Sequence, residues 1–473
     1  MSSIFNKRVA TNLSLSFLAN FVALFVSFVT TAMLPRFMEI EEYGVWQLYL
    51  FYLSFVGAFH LGWTDGIGLR YVGKDFYNLN AGLLKLQIYG ICLLATVIAC
   101  VSYLTVGHWN GVNSDQRVLG FVLFAVPFMH LSWVTSFILQ ITNNSAKSAK
   151  VTILERGIFI ILSCFLLAIG LGAEAVIVGN LFALVISAVT LSIICRRMFI
   201  ARSSPLKEVF FDSIENIRCG WKLLVANLSG LLIVGILRYS VALAWDISTF
   251  GKLSLGLSLC GFFMTFVNSC SIVFFPVMKV LSIRRLRKFN ENLGYLVGIV
   301  LVVLFLTYFP LHIVFYYWLP KYREVLSFFS LLFPMFYFET KNVFLFTTIL
   351  KTQRKEGLIL CINLFAVAVS VIAAVISTVI FKDLKLVALS IFFVFSLKFW
   401  ISNVVVNSVL GTKNFIPDLI NYVFILIFVF ATQFLRFEEA FSCVVLMIAV
   451  YSVSNIQHVK KSWQSLKKLN DLP

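Results

Sequence analysis

Long apolar runs, separated by short polar segments, repeat along the whole chain. A membrane-spanning helix needs about 20 mostly apolar residues to cross roughly 30 Å of hydrocarbon. Fourteen runs reach that length, at about 9–33, 43–62, 86–106, 118–141, 153–172, 174–195, 221–245, 253–275, 294–318, 325–350, 357–380, 386–408, 416–434 and 438–457. The pattern predicts an all-α polytopic membrane protein with about 14 transmembrane helices. The turns around Gly172 and from Arg436 to Glu439 are the shortest, and losing either would change the count. The first run follows Lys7 and Arg8, as a signal peptide would. It is longer than a signal core and ends in no small-x-small site, so it reads as the first span.

Composition agrees with the pattern. Hydrophobic residues make up 60% of the chain and charged residues only 12%, against roughly 45–50% and 25% in soluble proteins. So little charge cannot coat a soluble surface of this size. The 50 phenylalanines fit a surface that meets lipid rather than water. The net charge of +17 would suggest nucleic acid in a soluble protein. Here the basic residues sit between apolar runs, which fits a basic cytoplasmic face and no nucleic-acid partner. The nine cysteines form no CxxC pair and lie mostly inside apolar runs, so neither a disulfide framework nor a metal site is expected.

The basic residues also orient the chain. With the N-terminus inside, most of the 38 Lys and Arg fall on the cytoplasmic side. They include Arg196, Arg197 and Arg202 after the sixth run, Arg284, Arg285 and Arg287 after the eighth, Lys413, and Lys460, Lys461, Lys467 and Lys468 in the tail. The other side holds Arg36, Arg117, Lys252, Lys321, Arg323, Lys382, Lys385 and Arg436. That asymmetry places both termini in the cytoplasm.

The basic segment 196–220 divides the first twelve runs into six and six. Both halves begin alike: one long run leads to a second that starts at Tyr43-Gly44, or at Phe250-Gly251. The expected domains are an N-terminal six-helix bundle at 1–195, a basic cytoplasmic linker at 196–220, a C-terminal six-helix bundle at 221–408, and two additional helices with a basic tail at 409–473. Six is even, so the bundles would be parallel repeats around a central cavity, an arrangement suited to alternating access.

Three stretches carry a family resemblance: LPRFMEIEEYGVWQLYLF at 34–51, HLGWTDGIGLRYVGKD at 60–75, and IVFFPVMKVLS at 272–282. With the fourteen-run layout, they resemble the polysaccharide flippases of the MATE-like multidrug/oligosaccharidyl-lipid/polysaccharide exporter superfamily. The resemblance implies a bacterial plasma (inner) membrane protein that is not an enzyme. It implies transfer of undecaprenyl-pyrophosphate-linked oligosaccharide from the inner to the outer leaflet, for capsule, exopolysaccharide or O-antigen assembly. Glycosyltransferases and a polysaccharide polymerase would be its partners. Trp63-Thr64-Asp65 departs from the small and apolar residues common in that family, which leaves the role of Asp65 open.

Charge near the middle of a bilayer is costly and marks candidate sites. Arg238 lies about seven residues, or roughly 10 Å, from the outer end of the run 221–245. It could meet a pyrophosphate bidentately, or it could be a packing pair or an interfacial anchor. Glu339 and Lys341 are two residues apart and so do not share a helix face. Each could line a cavity or fix helix packing, and Glu339 is the candidate for a coupling ion, H⁺ or Na⁺. Lys398, mid-run, could hold an anionic headgroup or pack its stem on aromatics. Arg70 follows Gly62, Gly66 and Gly68 and reads equally as a guide at the inner entrance and as a positive-inside anchor. Arg36, beyond Pro35, is its outer counterpart. His60, His130 and His312 have no metal spacing and read as packed or hydrogen-bonded. No Walker A, GxSxG or CxxCH motif occurs, so no cofactor is expected and the energy would come from an ion gradient, the membrane potential or product removal. Three intramembrane cations against one acid favour an anionic cargo. An ion-coupled multidrug or organic-cation antiporter is the alternative. A membrane polymerase or ligase is disfavoured by the short outer segments.

Overall fold

The computed structural model describes residues 2–107, 116–279, 281–412 and 415–470, and side chains there except at 2–13, 16–17, 262–263, 265–277, 463 and 465–470. Lys413, and the side chains of Lys7, Arg8, Lys467, Lys468 and most of the Phe-Pro stretch at 272–282, lie outside the described residues.

The described chain is helical nearly throughout. In order, the helices are α1 (Ser2–Phe37), α2 (Ile40–Val56), α3 (Trp63–Tyr71), α4 (Ala81–Gly107), α5 (Gln116–Ile141), α6 (Ser145–Ala168), α7 (Ala173–Ile194) and α8 (Arg196–Ile200). Then come α9 (Leu206–Ala244), α10 (Ile247–Lys279), α11 (Ile283–Leu304), α12 (Tyr308–Trp318), α13 (Leu326–Leu332), α14 (Met335–Lys341) and α15 (Thr348–Thr352). The last four are α16 (Glu356–Ala374), α17 (Leu384–Leu410), α18 (Ile416–Phe434) and α19 (Phe437–Asn470).

Among the described residues, 11 helices or helix runs are long and apolar enough to cross a membrane, or up to 12 if the bent pair α2 and α3 counts as one span. This is fewer than the fourteen runs of the sequence. The runs at 253–275 and 325–350 are nonetheless helical. The second is broken: Pro334, which cannot donate a backbone hydrogen bond, separates α13 from α14, and a π-helical turn, Asn342–Thr347, separates α14 from α15. The segment 206–220 forms the first part of α9.

Local chemistry sets the breaks. The bend between Ile40–His60 and α3 is 60°. It turns on Leu61 and Gly62, both left-handed, with φ 51° and 84°, and glycine adopts that conformation without strain. Asp383 starts α17 by accepting from Lys385 N at 2.8 Å, and Gly411 ends it at φ 65°, as capping rules require. Between α9 and α10, Asp246 accepts from Thr249 N at 3.2 Å and from the hydroxyls of Ser248 and Thr249.

The chain divides into two compact units. Unit 1 comprises Met1–Gly235 and Trp245–Ser254, and unit 2 comprises Ile236–Ala244 and Leu255–Pro473. Unit 1 has an aliphatic core in which Ile67, Leu84, Ile88, Ile91, Val134 and Ile138 are fully buried. Unit 2 is cored by rings. Phe305 lies 4.7 Å from Phe428 and 5.1 Å from Phe336, centroid to centroid, and Tyr308 lies 5.5 Å from Phe333. The first and third are edge-to-face, and such ring pairs add about 0.5–1.5 kcal/mol each beyond their buried area. Phe424 and Phe428 come from α18, so the helix pair α18 and α19 packs into the core of unit 2. Large apolar side chains such as Phe165, Phe393 and Phe434 point outward, as expected of a surface in lipid.

Candidate functional site

Unit 2 collects the charges that the apolar runs carry. Glu339 and Lys341 sit at the C-terminal end of α14, about 200° apart around the helix, and they reach different neighbours. Glu339 faces α17, where both its carboxylate oxygens take Lys398 Nζ at 3.0 Å. Lys341, 2% exposed at its side chain, forms an ion pair with Asp418 in the first turn of α18. Asn403 Nδ2 from α17 donates to the other Asp418 oxygen at 2.8 Å, and Asn407 Nδ2 donates to Asn403 Oδ1 at 2.5 Å. On α11, Gly298 makes room for this cluster: a Cβ there would lie 3.3 Å from Lys341 Nζ and 2.6 Å from Asn421 Nδ2. Asn421 Oδ1 in turn accepts from Tyr451 of α19 at 2.5 Å. Polar contacts thus tie α14 and α17 to α18, and α18 to α19, with α11 packed closely against them.

The space beside this network is small. A recess lined by Asn290, Tyr295, Lys341, Asn403, Asn407 and Asp418 encloses about 30 Å³, close to one water's share of liquid. It can take a water or a bare ion and excludes a sugar. Asn342, 1% exposed and next to Lys341, has neither amide atom hydrogen-bonded among the described residues.

Unit 1 has its own polar cluster, around Arg70 at the end of α3. Its guanidinium reaches Asp212 Oδ1 at 2.7 Å and Asn216 Oδ1 at 2.7 Å, both on α9. Gln87 Nε2 from α4 and the Tyr71 hydroxyl donate to Asp212 Oδ2 at 2.6 and 3.1 Å. Asn216 Nδ2 donates to Gln87 Oε1 at 2.9 Å. The helices approach closely enough for this because Gly66 lies against the Asn216 backbone and Gly62 against Gly220 and Trp221, where a Cβ would clash. Beside the cluster an open recess of about 630 Å³ is lined by Arg70, Lys207, Glu208, Asp212 and Glu215.

Asp65 is half-buried on α3, with no hydrogen bond or ion pair among the described residues. Arg36 is exposed at the end of α1, and Arg238 is half-buried on α9. His60 Nδ1 accepts from Gly62 N at 3.0 Å and His130 Nε2 lies 3.2 Å from Val56 O. Among the described residues no group of His, Cys, Asp and Glu could hold a metal ion.

Two acids escaped the sequence reading. Asp418 lies just inside its run, after Pro417, where charge carries little penalty. Asp212 lies in the basic segment that read as a linker. The excess of cations over acids is therefore smaller than the sequence suggests: unit 2 carries Arg238, Lys341 and Lys398 against Glu339 and Asp418, and both lysines are paired.

The fold is shared with several solved membrane transporters. The chain is similar to the lipid II flippase MurJ in an inward closed conformation, with a TM-score of 0.62 at 14% identity, covering 94% of this chain and 99% of that one. It is similar to a multidrug resistance MATE family transporter in an inward-facing conformation, with a TM-score of 0.57 at 12% identity over 86% of this chain and 99% of that one. It is also similar to a MOP superfamily transporter from Pyrococcus furiosus described as having a binding pocket of reverse polarity, with a TM-score of 0.50 at 12% identity over 86% and 96%. No family model matches the chain, and no curated protein sequence matches it.

Proposed function

We propose that this chain is an alternating-access transporter of a bacterial plasma membrane, with both termini cytoplasmic, that moves undecaprenyl-pyrophosphate-linked oligosaccharide from the inner to the outer leaflet. The observation that carries this reading is the fold likeness to a lipid flippase over nearly the full length of both chains. The stretches at 34–51 and 60–75 support it. Glycosyltransferases would build the cargo and a polymerase would consume it.

The two ion pairs of unit 2 have different parts in this reading. Lys341 is locked by Asp418, which Asn403 holds from the other side, and it holds helices together. The Glu339–Lys398 pair is the working one: its side chains are 19% and 8% exposed, and it adjoins the π-helical turn by way of α14. Irregular turns of that kind recur at functional sites. Opening the pair frees an ammonium for a cargo phosphate and a carboxylate for a coupling H⁺ or Na⁺. Arg238 supplies the second cation. Arg70 and Asp65 serve the inner entrance and Arg36 the exit. The isoprenoid tail stays in lipid, which avoids about 0.8 kcal/mol per exposed CH₂.

A second reading, ion-coupled export of organic cations, is favoured by specific observations. Both buried lysines of unit 2 are neutralised by carboxylates, and multidrug transporters recur among the similar structures. Taken as a set, the comparisons lean toward this second reading. Neither reading is enzymatic.

Polymer export in a strain lacking this protein tests the first reading. Wild type restores export, whereas Arg238→Ala and Lys398→Ala reach the membrane at normal levels and do not. Restoration by both variants overturns the site assignment. Ion-driven dye efflux from proteoliposomes, without lipid movement, establishes the second reading instead.

A further inference from the structure

Away from both clusters, α1 and α6 of unit 1 enclose a cavity of about 210 Å³ near the end of α1, lined by Val29, Met33, Phe37, Ile160, Ser163 and Leu167 among others. Three observations give it an occupant. The walls are almost wholly apolar, and both helices are long and apolar enough to span a membrane, so the medium that meets the cavity is lipid. Ser163 is 2% exposed, and its Oγ makes no hydrogen bond among the described residues. A buried hydroxyl on an apolar wall calls for a polar partner from the occupant. Finally, Arg36 adjoins the lining residue Phe37 and shares a helix face with Met33, three residues back, and Val29, seven residues back.

The vertical order of these groups is that of a membrane lipid. Ser163 lies five residues before Ala168 ends α6, roughly 7–8 Å below the helix end. Arg36 stands at the end of α1, where it meets headgroups. We propose that this groove binds one anionic glycerophospholipid. Arg36 takes its phosphate, Ser163 Oγ donates to an ester carbonyl just beneath, and an acyl chain runs deeper along Met33, Val29 and Ile160. A polyprenyl phosphate has the phosphate and the chain but no ester carbonyl, so it would leave the serine unmet. The groove is therefore assigned to a bilayer lipid rather than to cargo.

Native mass spectrometry of the detergent-purified full chain tests this, with phosphatidylglycerol, phosphatidylcholine and undecaprenyl phosphate as probes. Wild type retains one phosphatidylglycerol about tenfold more tightly than phosphatidylcholine. Arg36→Gln abolishes that preference, and Ser163→Ala weakens phosphatidylglycerol binding severalfold. Ala168→Trp fills the groove and removes the bound lipid. If that variant does not fold, Cys164→Phe at an exposed rim position gives the same reading. Equal retention of the two phospholipids by wild type overturns the proposal. So does a preference that survives Arg36→Gln, or undecaprenyl phosphate bound more tightly than phosphatidylglycerol.

Discussion

Replacing Lys341 with methionine removes one partner of the most deeply buried ion pair and keeps most of the volume. The Lys341 side chain is 2% exposed and that of Asp418 13%, so a single water from the adjoining recess, and no bulk solvent, could replace the ammonium. Asp418 would retain one hydrogen bond, from Asn403 at 2.8 Å, and no counter-charge. Breaking a buried pair in this way costs about 3–5 kcal/mol, whereas replacing both partners by apolar residues is close to neutral. Lys341→Met should therefore destabilise the protein by about 3–5 kcal/mol, while Lys341→Met with Asp418→Leu recovers most of the loss. Reversible denaturant unfolding in mixed micelles, followed by tryptophan fluorescence, measures both, with Lys351→Met on an exposed position as the control. A coupling energy of at least about 2 kcal/mol is expected from the cycle. A Lys341→Met variant within about 1 kcal/mol of wild type, or additivity in the double variant, would refute a structural role for this pair.

Other outcomes follow from the same geometry. Asp212→Asn leaves Arg70 without its counter-charge and should cost about 1–3 kcal/mol, with protease cleavage near α3 rising in membrane vesicles as the check. Gly66→Val should damage folding more than Gly68→Val. A Cβ at Gly66 meets the Asn216 backbone, whereas one at Gly68 meets the Phe137 ring, which can move. Membrane-inserted yield reports the difference, and equal yields would contradict the close approach of α3 and α9. At Asp246, burial alone would raise the pKa but is outweighed by hydrogen bonds from Ser248 and Thr249, so the carboxyl is held below its ordinary value. A depressed carboxylate contributes stability above its unfolded pKa and loses it as pH falls through the folded value. Asp246→Ala should thus cost about 1 kcal/mol near pH 7, and the deficit should shrink as pH falls below the ordinary aspartate range, as read from melting temperatures across pH.

Much of the fold is legible in the sequence because burial in lipid demands long apolar helices, and these are visible as uninterrupted runs. The bend at Gly62 is foreshadowed by the glycines around it. The π-helical turn at 342–347 is not, since Asn-Val-Phe-Leu-Phe-Thr has the composition of ordinary helix. The candidate charges Glu339, Lys341 and Lys398 stand out because each interrupts an apolar run. Their partnerships do not. Lys398 lies 59 residues from Glu339, and Lys341 lies 77 residues from Asp418, separations that no local periodicity encodes. Asp418 and Asp212 were hidden by their positions at run edges, where a carboxylate costs little and attracts no notice.

The transport proposal is tested most directly by reconstituting the purified chain in proteoliposomes with a short-glycan undecaprenyl pyrophosphate confined to one leaflet, then following arrival of the sugar on the other by lectin binding. Wild type should move the sugar, faster under an imposed H⁺ or Na⁺ gradient, and Lys398→Ala should not. Sugar that never changes leaflet, in vesicles where the same protein expels a cationic dye under that gradient, would contradict the flippase account.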